Sequence, residues 1–182
     1  MINGMYFRND MKREDISLEL DRFNSMHPLR EIVASHLKEC ANEYFEWFAS
    51  RQREWDPGDV HVTRENWRPE RQPMVYKMQK TGPHGGFCVW HAEQGSGDDT
   101  RGRYAVWMLY LNDLAQSGGT DFPVQGIRMQ PTEGTMIIWP AAYTHPHRSS
   151  PDIEETKYII TGWIEHAGSS RHETERRSDS YE

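Results

Sequence analysis

The triplet His91-Ala92-Glu93 carries two side chains whose types and spacing could bind a metal ion. On a β-strand, residues two apart point to the same side, so His91 and Glu93 can face one cavity while Ala92 turns away. Further along the chain, His145 and His147 offer additional imidazoles. Two imidazoles and one carboxylate on one face of a metal leave its other coordination positions open for small ligands.

This ligand set is typical of non-haem Fe(II) sites. An H-x-E pattern alone arises often by chance, but a downstream histidine and the basic residue Lys157 beyond it make the pattern more specific. The alternative for His91 and Glu93 is a surface pair at a strand end. The third ligand could be His145 or His147, because both would lie on the same face of a strand.

Length and composition restrict the class of protein. The 182 residues suffice for one well-buried domain and are short for two. The 28 acidic and 21 basic residues give a net charge of −7, which argues against nucleic acid as a partner. Two cysteines without framework spacing, no signal peptide and no long apolar run indicate a cytoplasmic protein that does not enter a membrane.

The apolar pattern predicts one long helix followed by many short strands. Residues 28–51 carry apolar side chains at three- and four-residue steps, and Pro28 suits a first helical turn. Short apolar or alternating segments then predict strands at 60–62, 74–79, 86–91, 104–111, 126–129, 135–139 and 156–164. We therefore expect a single mainly β domain over 1–167 with supporting helices. The polar segment 168–182 is predicted to be disordered.

Four further segments follow one another in the sequence. The first ends in Tyr110-Leu111-Asn112, and the second, Gly118 to Phe122, has the form of a G-G-x-x-F turn. The third combines Pro131-x-x-Gly134 with the strand Met136 to Pro140, and the fourth, Lys157 to Trp163, has the form of a K-Y-x-x-T-x-W strand. In this order, and over about residues 72–165, the chain resembles prolyl 4-hydroxylase-like 2-oxoglutarate/Fe(II)-dependent dioxygenases. The resemblance implies a double-stranded β-helix (jelly-roll) core over about 59–165, using Fe(II), 2-oxoglutarate and O₂.

The resemblance also implies the metal ligands. His91 and Glu93 would be the first two, and glutamate is a departure because most of the family has aspartate there. Counted from the strand end at Trp139-Pro140, His145 stands where the family places its distal histidine. We therefore expect His145 to bind the metal, with His147 lining the pocket or supporting a ligand by a hydrogen bond.

Further residues would bind the cosubstrate or the substrate. By resemblance, Lys157 would pair with the distal carboxylate of 2-oxoglutarate, and the alternative is a surface lysine. The other candidates around the cosubstrate are Tyr110, Thr161 and Tyr76, each of which could instead be an ordinary core residue. Candidates at the substrate side are Trp163, Arg148 and the Trp- and Arg-rich segment 52–72, which contains Trp55 and Trp67. His84 is expected to lie in a loop over the barrel mouth.

The implied reaction is hydroxylation of a prolyl residue in a peptide or protein. The prolyl specificity rests on analogy alone. A small-molecule substrate such as a free amino acid is the first alternative. A metal-binding, cupin-like jelly roll without oxygenase activity is the second.

Overall fold

The computed structural model of the chain describes residues 15–55 and 76–166. The described part begins with strand β1 (Ile16–Glu19), two short 3₁₀ turns (Leu20–Arg22 and Asn24–Met26) and helix α1 (His27–Trp55). The remaining strands are β2 (Lys77–Thr81), β3 (Arg103–Tyr110), β4 (Thr120–Phe122), β5 (Ile127–Met129), β6 (Met136–Pro140), β7 (Arg148–Ser149) and β8 (Lys157–Glu165).

Helix α1 packs along one face of the larger sheet. Its buried residues recur every four positions, which places them on one stripe of the helix: Val33, Leu37, Ala41, Phe45 and Ala49. Most of this stripe joins the side chains of one sheet face, among them Ala105, Trp107, Ile160 and Ile164. The helix predicted for 28–51 is confirmed, with Pro28 in its first turn. The opposite face of the same sheet carries the side chains that contribute to the candidate site.

The strands form two antiparallel sheets. The larger sheet has the order β1-β2-β8-β3-β6, and the smaller has the order β5-β4-β7. The chain passes from β3 to the smaller sheet, returns to the larger sheet at β6, leaves it again at β7 and enters it once more as β8. Side chains of both sheets meet in a second core around Val106, Phe122 and Trp139. This architecture confirms the mainly β, jelly-roll fold class.

Most predicted strands in the described residues are confirmed with small shifts of their ends. The segments 104–111, 126–129, 135–139 and 156–164 correspond to β3, β5, β6 and β8. The segment 74–79 overlaps β2, which runs from Lys77 to Thr81. The prediction for 60–62, the residue Trp67 and the polar segment 168–182 lie outside the described residues.

The strand predicted at 86–91 is wrong. This segment pairs with the region of β7 only at separate points, where Ser149 donates to the Phe87 carbonyl and His91 forms an isolated bridge with His147. Phe87 and His91 are four positions apart in the sequence, whereas their partners Ser149 and His147 are only two positions apart. The extra residues bulge out, so no continuous ladder forms.

None of the helices in the described ranges has the length and apolar character needed to cross a bilayer.

Candidate metal centre

Three side chains converge at the edge of the smaller sheet: His91, Glu93 and His147. The His91 Nε2 atom lies 3.3 Å from Glu93 Oε1, and His147 Nε2 lies 3.8 Å from the same oxygen. One potential ligand atom from each residue lies within 4.8 Å of the other two. A single antiparallel bridge positions the two histidines, because His91 and His147 exchange both of its backbone hydrogen bonds.

Both imidazoles are oriented by backbone carbonyls. His91 Nδ1 lies 2.7 Å from the Val89 carbonyl oxygen, and His147 Nδ1 lies 3.0 Å from the His145 carbonyl oxygen. A carbonyl oxygen can only accept, so each Nδ1 must carry the hydrogen. Each Nε2 is then the atom available to a metal, which is the arrangement seen for metal-binding histidines in general. The donor set therefore fits a transition metal bound by two imidazoles and one carboxylate.

The two oxygens of Glu93 have different partners. Oε1 faces the two imidazoles, whereas Oε2 accepts hydrogen bonds from Arg103 Nη1 at 2.7 Å and Trp163 Nε1 at 2.9 Å. Burial by itself would raise the pKa of the Glu93 carboxyl, but the neighbouring side chains of His147, His91 and Arg103 favour the anion and outweigh the effect of burial. The pKa consequently lies well below its usual range, and Glu93 is an anion at neutral pH.

The structure corrects the choice of the third histidine. His145 lies in the turn between β6 and β7, where its Nδ1 hydrogen-bonds the Thr144 hydroxyl at 3.0 Å, and it does not belong to the group of potential ligands. The turn after β6 extends past His145, and the chain pairs with the segment that carries His91 only at His147. The imidazole of His147, only 5% exposed, is the one that lies beside Glu93.

Lys157 lies at the start of β8 and is buried, so the alternative of a surface lysine is wrong. Its Nζ donates to the Gly118 carbonyl oxygen and to the Ser149 hydroxyl, both at 2.9 Å. Neither partner is charged, and within 15–55 and 76–166 no carboxylate forms an ion pair with it. Burial lowers the pKa of Lys157 to about 8, although nearby Cys88, Asp152 and Asp121 act in the opposite direction. A buried cation without an anion is costly, which marks this position as suited to an anionic ligand.

The other candidates for the cosubstrate pocket have different outcomes. The Tyr110 hydroxyl is buried and shares a hydrogen bond of 2.8 Å with Thr120, and burial raises its pKa to about 12. The Thr161 hydroxyl donates to the Trp107 carbonyl oxygen at 2.6 Å, so its hydrogen is already used. Tyr76 packs edge-on against Trp107 in the core beneath α1, on the face of the sheet away from Lys157. The prediction that Tyr76 lines the cosubstrate pocket is therefore wrong.

Residues expected at the substrate side are only partly close to the metal ligands. Trp163 contacts Glu93, whereas the Arg148 guanidinium lies over Trp90 and its Nε donates to Asp121 at 3.3 Å. Trp55 ends α1 and is almost fully exposed. His84 lies in an exposed loop turn with φ +60°, as predicted for a loop residue.

Three residues of the site escaped the sequence analysis: Arg103, Ser149 and Thr120. Arg103 contacts the proposed carboxylate ligand, Ser149 contacts Lys157, and Thr120 contacts Tyr110. The position of Ser149 two residues after His147 on a strand is the one signal that could have identified it, since both side chains then share a face.

Comparison with known proteins identifies the family. Residues 74–165, half of the chain, match the sequence profile described as the 2OG-Fe(II) oxygenase superfamily. The prolyl 4-hydroxylase subunit alpha-1 of Gallus gallus is 29% identical over 76 residues, covering 38% of this chain and 15% of that protein. The human subunit is 28% identical over 76 residues, covering 38% of this chain and 14% of that protein. The chain thus spans a small part of the curated relatives it matches.

Solved structures show the same fold at low identity. The 2OG complex of the viral collagen prolyl hydroxylase from Paramecium Bursaria Chlorella virus-1 has a TM-score of 0.60 at 16% identity, covering 85% of this chain and 80% of that one. A prolyl hydroxylase from Trichoplax adhaerens, in complex with a hypoxia inducible factor oxygen degradation domain peptide fragment, has a TM-score of 0.58 at 14% identity, covering 96% and 70%. The family's cofactor and cosubstrates are Fe(II), 2-oxoglutarate and O₂, and the sequence match over 74–165 shows that this chain belongs to the 2OG-Fe(II) oxygenase superfamily.

Proposed function

We propose that this protein is an Fe(II)- and 2-oxoglutarate-dependent hydroxylase that acts on a prolyl residue of a peptide or protein. The proposal rests on one observation, which is that the same barrel holds a candidate metal site and a buried cation. His91, Glu93 and His147 offer three metal ligands, and Lys157 offers a buried cation without an anionic partner among the described residues. A dicarboxylic oxo-acid has a suitable group for each site, because one end can chelate a metal and the other can pair with an ammonium.

The three ligands would hold Fe(II) on one face and leave its other positions for the oxo-acid and O₂. The bound iron would supply the oxidising chemistry, with 2-oxoglutarate converted to succinate and CO₂. The chain's own residues bind and orient. The Lys157 ammonium would pair with the distal carboxylate, and the Ser149 hydroxyl beside Nζ would donate a further hydrogen bond to it. The buried Tyr110 and Thr120 hydroxyls would line the same interior.

A peptide substrate is supported by the relatives rather than by a described contact. The Trichoplax enzyme is complexed with a peptide fragment, and the curated relatives are prolyl 4-hydroxylase subunits. We also propose a cytoplasmic location, because both cysteines are free thiols, as is typical of a reducing compartment. The net charge of −7 remains an argument against nucleic acid as the substrate.

Incubation with Fe(II), 2-oxoglutarate and O₂ is expected to convert proline-containing peptides to products that carry one additional oxygen. Succinate should form in equal amount, as measured by mass spectrometry of the peptide and chromatography of the organic acids. Free L-proline serves as the matched small substrate. Oxygen insertion into free proline but not into any peptide would favour the small-molecule alternative. Metal binding without any consumption of 2-oxoglutarate would favour a cupin-like module and overturn the proposed activity.

The affinity for 2-oxoglutarate is expected to fall as the pH rises above about 8. The free protein holds the Lys157 proton only below its lowered pKa of about 8, and the oxo-acid needs the ammonium form. Above that pH, each binding event must also take up a proton, so the apparent Kd should rise by about tenfold per pH unit. Calorimetric titration between pH 6.5 and 9.5, with the metal site loaded with Mn(II), measures this dependence. A Kd that stays constant across the range would contradict it.

A further inference from the structure

We infer that Arg103 and Trp163 are positioning residues that fix Glu93 so that it presents only Oε1 to the metal, and that they adapt this site to glutamate. The inference rests on the proposed function, because it concerns the same metal centre. It goes further by assigning a role to two residues outside the ligand set. It also gives a reason for glutamate at a position where most of the family has aspartate.

The two oxygens of the Glu93 carboxylate have separate sets of partners. Oε2 receives two N–H donors, from Arg103 at 2.7 Å and from Trp163 at 2.9 Å, whereas Oε1 points at the two imidazoles. Hydrogen bonds from a cation to a carboxylate are about twice as strong as neutral ones. Chelation through both oxygens would draw Oε2 away from both donors. Coordination through Oε1 alone keeps all of these interactions.

Arg103 is itself held in place for this contact. Its Nη1 also donates to the Glu93 carbonyl oxygen at 3.1 Å, and its guanidinium lies 3.8 Å from the centre of the Trp163 ring. The side chain is only 12% exposed, and its buried Nε has no hydrogen-bond partner in the described structure. The burial of this cation is therefore offset mainly by its ion pair with Glu93 and its contact with the Trp163 ring.

A β-bulge turns Arg103 toward the site. The pairing of β3 with β8 shifts register between Arg103 and Ala105. As a result, Tyr104 and Ala105 both pack in the core beneath α1, while Val106 faces the opposite core between the sheets. In a regular strand Arg103 would share the face of Ala105. The bulge places it instead on the interior face, where Trp163 pairs with Val106 in the neighbouring strand.

The length of glutamate matters because its backbone is fixed. Glu93 N donates to the Ala141 carbonyl oxygen at 3.1 Å, and the bridge between His91 and His147 lies two residues before it. An aspartate would end one C–C bond earlier, about 1.5 Å short. Its carboxylate could not reach the imidazole side and both donors together. The extra methylene of Glu93 therefore bridges the distance between the metal position and the pair Arg103 and Trp163.

Mn(II) binding to the full chain, measured by calorimetry under anaerobic conditions without oxo-acid, tests the inference. Arg103→Met is expected to weaken Mn(II) binding by about 10- to 100-fold, as found for residues that support metal ligands. Trp163→Phe should weaken it less, because it removes one neutral donor and keeps an aromatic ring. Glu93→Asp should also bind more weakly than the wild type. Arg101→Met is the matched control, because Arg101 is exposed, pairs with Asp98 and should leave the affinity unchanged.

A role in positioning also has a signature that a loss of stability would not produce. In the Glu93→Gln background, whose side chain no longer binds as an anion, the additional change Arg103→Met should have much less effect on Mn(II) affinity. The visible spectrum of the Co(II)-loaded protein should change in Arg103→Met and Glu93→Asp, and remain unchanged in Arg101→Met. Thermal unfolding identifies any variant that fails to fold. Trp163→Phe and Glu93→Asp are conservative changes, so they still test the inference if Arg103→Met does not fold.

The two possible failures can be told apart. If the wild type binds Mn(II) and Arg103→Met and Trp163→Phe bind it equally well, the positioning role is overturned while the metal centre stands. Tighter binding by Glu93→Asp than by the wild type would overturn the adaptation to glutamate. If the wild type itself binds no Mn(II), the metal centre and the inference fail together.

Discussion

Replacing His147 with alanine is expected to abolish Fe(II)-dependent consumption of 2-oxoglutarate, whereas His145→Ala retains most of it. His147 lies with His91 and Glu93 in the group of potential ligands, and its loss leaves two ligands for the metal. Because changes to residues that merely support a ligand cost about 10- to 100-fold, loss of a ligand itself should reduce turnover by more than about 100-fold. Succinate formation at saturating Fe(II) and 2-oxoglutarate provides the measurement.

His145→Ala is a matched control for chemical and structural reasons. It removes an imidazole two residues away but keeps the backbone carbonyl that accepts the hydrogen bond from His147 Nδ1. The orientation of His147 should therefore survive. The reverse result, an active His147→Ala and an inactive His145→Ala, would show that the turn rearranges on metal binding and that the metal-bound site differs from the one described. Equal activity in both variants would contradict a three-ligand site.

Lys157→Met is expected to weaken 2-oxoglutarate binding by about 30-fold or more. The variant leaves the distal carboxylate of the oxo-acid in a buried pocket without its cation, and truncating one partner of such a pair costs about 2–5 kcal/mol. Calorimetric titration of the Mn(II)-loaded protein at pH 7 measures this change. Lys80→Met is the control, because Lys80 lies on β2 near β8 but is exposed to solvent.

The same variant should not destabilise the protein in the absence of oxo-acid. Burial of the Lys157 ammonium lowers its pKa, so the free protein pays to keep this charge at neutral pH. A methionine of similar length removes that cost, and the melting temperature of Lys157→Met should equal or exceed that of the wild type. A variant that binds the oxo-acid as tightly as the wild type would remove Lys157 from the proposed site.

Local patterns were enough to predict much of the fold and half of the site. Helix α1 follows from its four-residue apolar spacing, and β3, β6 and β8 follow from short apolar runs between turn residues. His91 and Glu93 could be paired from the alternation of a strand, and the structure brings both side chains to one site although His91 lies in an isolated bridge rather than a continuous strand. Lys157 could be placed at the start of a buried strand because the apolar run follows it directly.

Tertiary structure decided the features that depend on how distant segments meet. The turn after β6 determines that His147 rather than His145 lies beside Glu93, and no local pattern reports the path of a turn. Tyr76 could not be assigned to a sheet face, because the larger sheet buries side chains on both of its faces.

Arg103 escaped notice because of a local irregularity in pairing. A single bulge reverses which face a side chain occupies, and a bulge is a property of two strands together rather than of one. The sequence alone thus determined the fold class, the family and the residue types of the site. Only the folded chain decided which histidine and which supporting residues meet at Glu93, because those contacts depend on register between strands far apart in sequence.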